Sequence, residues 1–376
     1  MKPAARLPAI DWMRGLVMIL MTIDHSSDAF NARHLMTDAV FMYKPGTALP
    51  VDLFLSRWIT HLCAPTFVFL AGAALSMSVE KQVAQGVPAG TIDRFIITRG
   101  LILIALEPLW MSWMFAAASG MVLLQVLFAI GASLICMALL RRLPTRALLI
   151  AALVLFASTE AIGRLVIAAS GGHPPMLGGI LVTAGFFPPL IVGYPVLPWL
   201  AIMMFGWWFG RWVPRADPIV VERGVLVCGL LSLGLFAIVR GVNGYGNMGL
   251  LRGDSSLVQW LHVSKYPPSL TYTSLELGLM ALFLSGFFRL QRKSAAEGHE
   301  PAWTKPLLVF GQTAFFFYVL HAHLLKLAAW ALGVLHKGGL RETYIAWVCA
   351  LVVLYPLCVL YGRYKRAHPT GWTRYL

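Results

Sequence analysis

The sequence predicts an all-α fold: a polytopic transmembrane helical bundle of about ten spans with both termini in the cytoplasm. Three observations predict it. Of 376 residues, 59% are hydrophobic and 12% charged, with mean hydropathy +0.74; soluble globular chains hold about 45–50% apolar and about 25% charged residues. Apolar runs such as "ALLIAALVLFA" recur from end to end, where an outer-membrane barrel would show short alternating segments. Lys and Arg divide unevenly between alternate loops, as topology demands of a membrane protein.

The spans are expected near 10–29, 57–78, 95–116, 120–140, 146–169, 190–212, 223–241, 269–290, 306–333 and 343–362. The first reaches membrane length only by including Arg14 and Asp24. Lipid penalises both, so they are expected to face the protein interior or the interface. Lys2 and Arg6 precede this run as in a signal peptide, but Arg14 and Asp24-His25 flank a short apolar run and no small-x-small cleavage site follows. A retained helix is therefore expected. The link from the third to the fourth span, near Ala116 to Gly120, carries no charge and is expected to be a tight outer turn. In the sixth, Pro195 and Pro198 suit a helix start, and Gly206 and Gly210 form a small-xxx-small packing face. Trp199, Trp207, Trp208 and Trp212 read as interface markers.

Of the 30 basic residues, nineteen fall on one side of the expected spans and nine on the other, with Arg14 and Lys326 inside spans. The excess puts both termini in the cytoplasm, in agreement with an even span count. The same asymmetry accounts for the net charge of +14, so nucleic acid is not an expected partner. Residues 1–376 form one membrane domain, because no polar linker is long enough to separate two. The largest cytoplasmic insert is "RLQRKSAAEGHEPAWTK". The five cysteines lie in apolar runs without metal-ligand spacing and read as buried free thiols; no metal is expected. There is no Walker loop, dinucleotide fingerprint, GxSxG elbow or HExxH.

Polar residues at membrane depth carry the functional signal. Asp24, His25, Asp28, His34, Asp52 and His61 gather at one end of the first two spans. On a continuous helix Asp24 and Asp28 share a face, and His25 and Asp28 can meet. A carboxylate beside an imidazole fixes its tautomer and raises its basicity, which prepares a general base. A wet helix end would hold the same residues without any chemistry. Further candidates are Glu107, Arg240, Asp254, His262, Lys265, Glu276, His321 and His323. Arg240, Arg252 and Lys265 are candidate partners for the carboxylates of Glu107 and Glu276. His321 and His323 are two apart, a poor metal pair on a helix; His321 is expected to face inward, one turn after Tyr318.

The segments "LPAIDWMRGLVMILMTIDHSSDAF", "RWITHLCAPTFVFLAGAALSMS", "YPVLPWLAIMMFGWWFGRW", "YPPSLTYTSLELG" and "FGQTAFFFYVLHAHLL" occur in that order. Together they resemble bacterial membrane proteins related to the catalytic domain of heparan-alpha-glucosaminide N-acetyltransferase, within a broader group of transmembrane acyltransferases. The resemblance implies a bacterial inner-membrane enzyme that moves an acetyl group from acetyl-CoA to a sugar or glycan acceptor across the membrane. Membrane lipid surrounds such a protein, and a homodimer is compatible with it. Asp24 takes the place of a polar residue that ends the first helix, an asparagine in the lysosomal relative. His34 falls close to that relative's proposed catalytic histidine, and His25 fits the bacterial Asp-His pattern. His61 stands where the relative has a carboxylate. On this reading His25 or His34 is the base, oriented by Asp24 or Asp28; Arg14 is a candidate for the CoA phosphates, and His61, Glu107, Lys265 and His321 are further binding candidates. The rival class is a transporter or flippase for a small anion or lipid-linked sugar, with the embedded Asp, Glu and His as a proton relay. No pair of broken helices at matching positions supports it.

Overall fold

A computed structural model describes residues 7–116, 120–368 and 371. The turn expected near Ala116 to Gly120 falls largely outside these residues, as do Lys2, Arg6 and Arg374. In chain order the helices are α1 (Pro8–Phe30), α2 (Val51–Trp58), α3 (Cys63–Ala84), α4 (Ala89–Leu106), α5 (Ser112–Ala116), α6 (Val126–Leu140), α7 (Thr145–Ala169), α8 (Met176–Gly178), α9 (Val196–Trp212), α10 (Pro218–Val242), α11 (Leu257–Leu261), α12 (Leu270–Glu297), α13 (Thr304–Gln312), α14 (Ala314–Ala331) and α15 (Leu340–Ala367). A π-helical turn, Glu107–Met111, joins α4 to α5.

The chain is mostly helical, though not wholly so. Three short strands, β1 (Val122–Leu124), β2 (Gly185–Phe187) and β3 (Leu190–Val192), form a small sheet. β3 lies in its centre, parallel to β1 and antiparallel to β2. The stretches expected to open the fourth and sixth spans are these strands, and their helices begin only at Val126 and Val196.

Among the described residues seven helical stretches are long and apolar enough to cross a membrane: Val51–Ala84, Ala89–Phe115, Thr145–Ala169, Pro218–Val242, Leu270–Glu297, Ala314–Ala331 and Leu340–Ala367. α1 has the length but carries Asp11, Arg14, Asp24 and Asp28. α6 and α9 are apolar but have only 15 and 17 residues. The stretch expected as one span over 306–333 breaks at Thr313 into α13 and α14.

The second span is also interrupted, between α2 and α3, for a local reason. Pro65 has no N–H to give the carbonyl of His61, four residues earlier. Tyr272 Oη donates to that carbonyl instead, at 3.0 Å. A side chain of α12 thereby completes the backbone of the α2–α3 corner.

α1 is the central helix, packed by α3, α12, α13, α14 and α15. It crosses α13 at two glycines. A Cβ on Gly15 would lie 2.0 Å from the Leu307 carbonyl oxygen, and one on Gly311 would lie 1.9 Å from that of Asp11. α3 and α9 meet in the same way: a Cβ on Gly206 would lie 1.9 Å from Phe69 O, and one on Gly210 2.4 Å from Ala73 O. The small-residue face expected at Gly206 and Gly210 is thus a backbone contact. Because α9 is covered by α3, α6 and α7, Trp199 and Trp207 are core residues, 0% and 2% exposed, rather than interface markers. The cysteines are all free, but Cys228 and Cys349 lie on the bundle surface rather than inside it.

The α3–α9 crossing gives a stability test. Gly206→Ala is expected to lower stability by about 1–3 kcal/mol or more, the usual cost of overpacking. Gly234→Ala in α10, where a Cβ meets nothing within 4 Å, should leave it unchanged or slightly raised. Thermal unfolding of both variants in detergent checks the contrast.

Candidate active site

α1 does not end in water. The carbonyl of Phe30 accepts from Gly338 N at 2.7 Å, that of Ala29 from His336 N at 3.0 Å, and Ala32 N donates to Gly338 O at 3.0 Å. The α14–α15 connection thereby takes up carbonyls that a helix end leaves unpaired. The last turns of α1, which bear Asp24, His25 and Asp28, are held inside the protein. The chain then crosses the end of the bundle and docks on the segment before α12. Asp38 O accepts from Lys265 N at 2.7 Å and Tyr266 N at 3.2 Å, and His262 Nε2 donates to Thr37 O at 2.8 Å.

At the centre stands Arg57, buried at the end of α2. Its Nη1 donates to Asp24 Oδ1 at 2.5 Å, while Nε and Nη2 donate to Asp38 Oδ2 at 2.8 and 2.6 Å. The other oxygen of Asp38 lies 3.4 Å from His61 Nε2. One guanidinium therefore ties α1, the following connection and α2 together, using the planar fork that a lysine lacks. Burial opposes the charged form of Asp38, but Arg57, His61 and Lys265 hold its carboxyl well below the usual carboxylate range. Asp28 is paired separately, with Lys326 of α14 at 2.9 Å.

Above this network lies a cavity of about 280 Å³. Asp24, His25, Asp28, His34 and Lys265 line it, together with Arg57, Cys63, Phe115, Tyr194, Tyr266 and Tyr318. Four of these five expected residues come from the α1 end and its connection; Lys265 joins them from more than two hundred positions away. His34 Nδ1 lies 3.0 Å from Ser27 Oγ. Burial pushes the His34 imidazole below its ordinary value, with Asp24 opposing and Arg57 adding to the effect. Cys63 donates its thiol to Val17 O at 3.3 Å, so it is occupied as a hydrogen-bond donor.

The other candidates lie outside the lining. His61 is 1% exposed beneath Asp38, edge-on to Tyr272. Glu107 is fully buried in the π-helical turn and accepts from Phe128 N at 3.0 Å. It sits at the N-terminus of α6, where a carboxylate meets the positive helix end. His321 stands directly behind His25, with Nε2 2.5 Å from His25 Nδ1. Arg14 is ten residues before Asp24, about 15 Å along the helix, and donates to Asp11 Oδ1 and Gly311 O. The carboxylate–imidazole pairing expected within α1 is replaced by longer-range contacts: Asp24 meets Arg57, Asp28 meets Lys326, and His25 meets His321. Arg240 holds Asn247 and backbone carbonyls rather than a carboxylate.

Sequence reasoning did not single out Arg57 or Asp38. Arg57 had a signal, as a lone cation in the apolar run "LFLSRWITHLCAP". Asp38 had none, because nothing local distinguishes it from a solvated loop carboxylate. Among the described residues no group of three or more His, Cys, Asp or Glu side chains is placed to hold a metal ion.

Apolar helices enclosing a polar, ion-paired cavity define an integral membrane protein with an internal site. The chain belongs to the family described as heparan-alpha-glucosaminide N-acetyltransferase, catalytic, which it matches over residues 6–222, more than half its length. No curated protein matches it.

The Arg57 network sets the next expectation. Arg57→Met leaves Asp24 and Asp38 buried without their cation, and removing one member of such a pair costs about 3–5 kcal/mol. Arg57→Lys should recover only part of this, since one ammonium cannot reproduce the three hydrogen bonds. The folded Asp38 carboxyl is held below its ordinary value, so the unfolded chain takes up the proton first. Its stabilisation is complete at neutral pH and is lost as pH falls, and Asp38→Asn should flatten that loss. Unfolding midpoints of the variants between neutral and acidic pH measure both effects.

Proposed function

We propose that the protein is a membrane-embedded acyltransferase that moves an acetyl group from acetyl-CoA to an amine or hydroxyl of a sugar or other cell-envelope acceptor. Ten spans, cytoplasmic termini and a place in the bacterial inner membrane complete this reading and put the cavity on the outer side. The carrying observation is the cavity itself: two imidazoles, His25 and His34, face a space whose carboxylates, Asp24 and Asp28, are already paired with Arg57 and Lys326. Family membership supports the chemistry.

A thioester is already activated, so the site needs chiefly to position the acceptor and remove its proton. An imidazole that is neutral at physiological pH can take that proton, and burial favours the neutral form of His34. His25 and His34 are the two candidate bases. Asp24, locked to Arg57, offsets the positive charge that forms when either is protonated. Lys265, whose Nζ lies 5.2 Å from the centre of the Tyr266 ring, stands where an acceptor or the thioester carbonyl would meet a cation.

Purified protein in nanodiscs, given labelled acetyl-CoA and a panel of amino sugars, is expected to yield an acetylated product. Replacing the base by alanine should lower the rate by about 10²–10⁴-fold. Full activity in both His25→Ala and His34→Ala would reject the assignment. With the His34 imidazole held below its ordinary 6.5, the rate should be level across neutrality and fall on acidification below that value. Protonated His34 would be lost as a base and would add a cation beside Arg57.

A further inference from the structure

The contact between His25 and His321 has a definite proton arrangement. His25 Nδ1 lies 2.5 Å from His321 Nε2. The ring centroids are 4.8 Å apart and the planes 16° from parallel. The centroid separation exceeds the nitrogen separation by the two ring radii, so the nitrogens point at each other along a line. The two rings lie edge to edge in nearly one plane and share an in-line hydrogen bond; they are not stacked face to face.

The far side of His321 decides which nitrogen holds each proton. Its Nδ1 faces the carbonyl oxygens of Tyr318, at 2.7 Å, and Phe317, at 3.1 Å. Carbonyls only accept, so this Nδ1 carries a proton. His321 is fully buried, and a second proton would make an imidazolium with no carboxylate within salt-bridge distance among the described residues, a costly charge. Its Nε2 therefore presents a lone pair. His25 must donate from Nδ1, which leaves the lone pair of His25 on Nε2. Among the described residues that Nε2 has no hydrogen-bond partner, and the ring lines the cavity, with Phe115 packed on it at 5.1 Å.

We propose that His25 and His321 form a catalytic dyad in which His321, a positioning residue, fixes the His25 tautomer so that Nε2 is the base facing the acceptor. This rests on the acyl-transfer reading and selects between its two histidines. The proton of the acceptor O–H or N–H passes to His25 Nε2 while the heteroatom lone pair bonds to the acyl carbon. The carbon–sulfur bond breaks, and the proton goes on to the departing CoA thiolate. During the step the positive charge on His25 is shared through the Nδ1–H bond with His321. The arrangement follows the logic of a nucleophile–base–orienter triad, with a neutral imidazole and two backbone carbonyls in place of the carboxylate.

The test is nitrogen NMR on the full chain in nanodiscs with ¹⁵N-labelled histidine, the His25 signals being assigned by their loss in His25→Gln. The wild type is expected to show His25 protonated at Nδ1 and bare at Nε2. His321→Leu should give a mixture of tautomers and lower kcat on the order of 100-fold, with little change in the acceptor KM. His321→Gln, whose amide oxygen can accept from Nδ1–H, should restore the tautomer and most of the rate. A wild-type His25 protonated at Nε2 would overturn the dyad, as would a leucine variant with unchanged tautomer and rate. If His321→Leu fails to fold, the wild-type spectrum and the glutamine variant decide. If the wild type acetylates no acceptor, the acyl-transfer reading fails by itself, while the spectrum still reports whether the tautomer is fixed.

Discussion

The site depends on one buried cation. Arg57 closes two ion pairs at once, and the partners come from the end of the central helix and from the connection that follows it. Each contact would be expensive alone, because bringing a guanidinium and a carboxylate out of water costs several kcal/mol per ion. The cost is offset only where geometry and further hydrogen bonds are good. Here all of the guanidinium nitrogens donate, and the second oxygen of Asp38 is placed toward His61. A buried network with few alternatives to its native arrangement specifies geometry more than it adds stability. The position of Asp24, and with it the turn that carries His25, is set by this network.

The neighbouring imidazoles benefit from this division of labour. The carboxylates at the α1 end are committed to cations: Asp24 to Arg57 and Asp28 to Lys326. Neither is spent in a hydrogen bond to histidine. His25 is instead oriented by His321, and His34 by Ser27, neutral partners that leave each ring uncharged in a space already close to electrostatic balance. On the acyl-transfer proposal, such a space would hold an uncharged amine or hydroxyl beside a neutral base without first having to expel a counter-ion.

Much of the fold and part of the site were legible in the sequence, and the division has a physical cause. Long apolar runs require helices because lipid offers the backbone no partners, so α3, α4, α7, α10, α12, α14 and α15 could be located from hydropathy. Interruptions escaped where the groups that complete the broken backbone are distant or the break itself is faint. The missing donor of Pro65 is visible, but not the Tyr272 hydroxyl that replaces it, and the break at Thr313 leaves no strong mark in hydropathy. Gly206 and Gly210 were readable by spacing, whereas the burial of Trp199 and Trp207 depended on which helices cover α9. At the site, Asp24, His25, Asp28 and His34 stood out because they share one short segment. Their partners did not, since Arg57, Lys326 and His321 are 33, 298 and 296 positions away from Asp24, Asp28 and His25, and no local pattern encodes such pairings.

The clamp of residues 336–338 on the end of α1 bears on how the molecule is made. The family match ends at residue 222, yet Lys265, Tyr318, His321 and Lys326 all follow it. A nascent chain therefore completes its first helix long before the groups that pair with it are made. Through most of synthesis Asp28 lacks its lysine, His25 lacks its fellow imidazole, and the last carbonyls of α1 lack the Gly338 and His336 amides. The amino-terminal half alone lacks each of these partners.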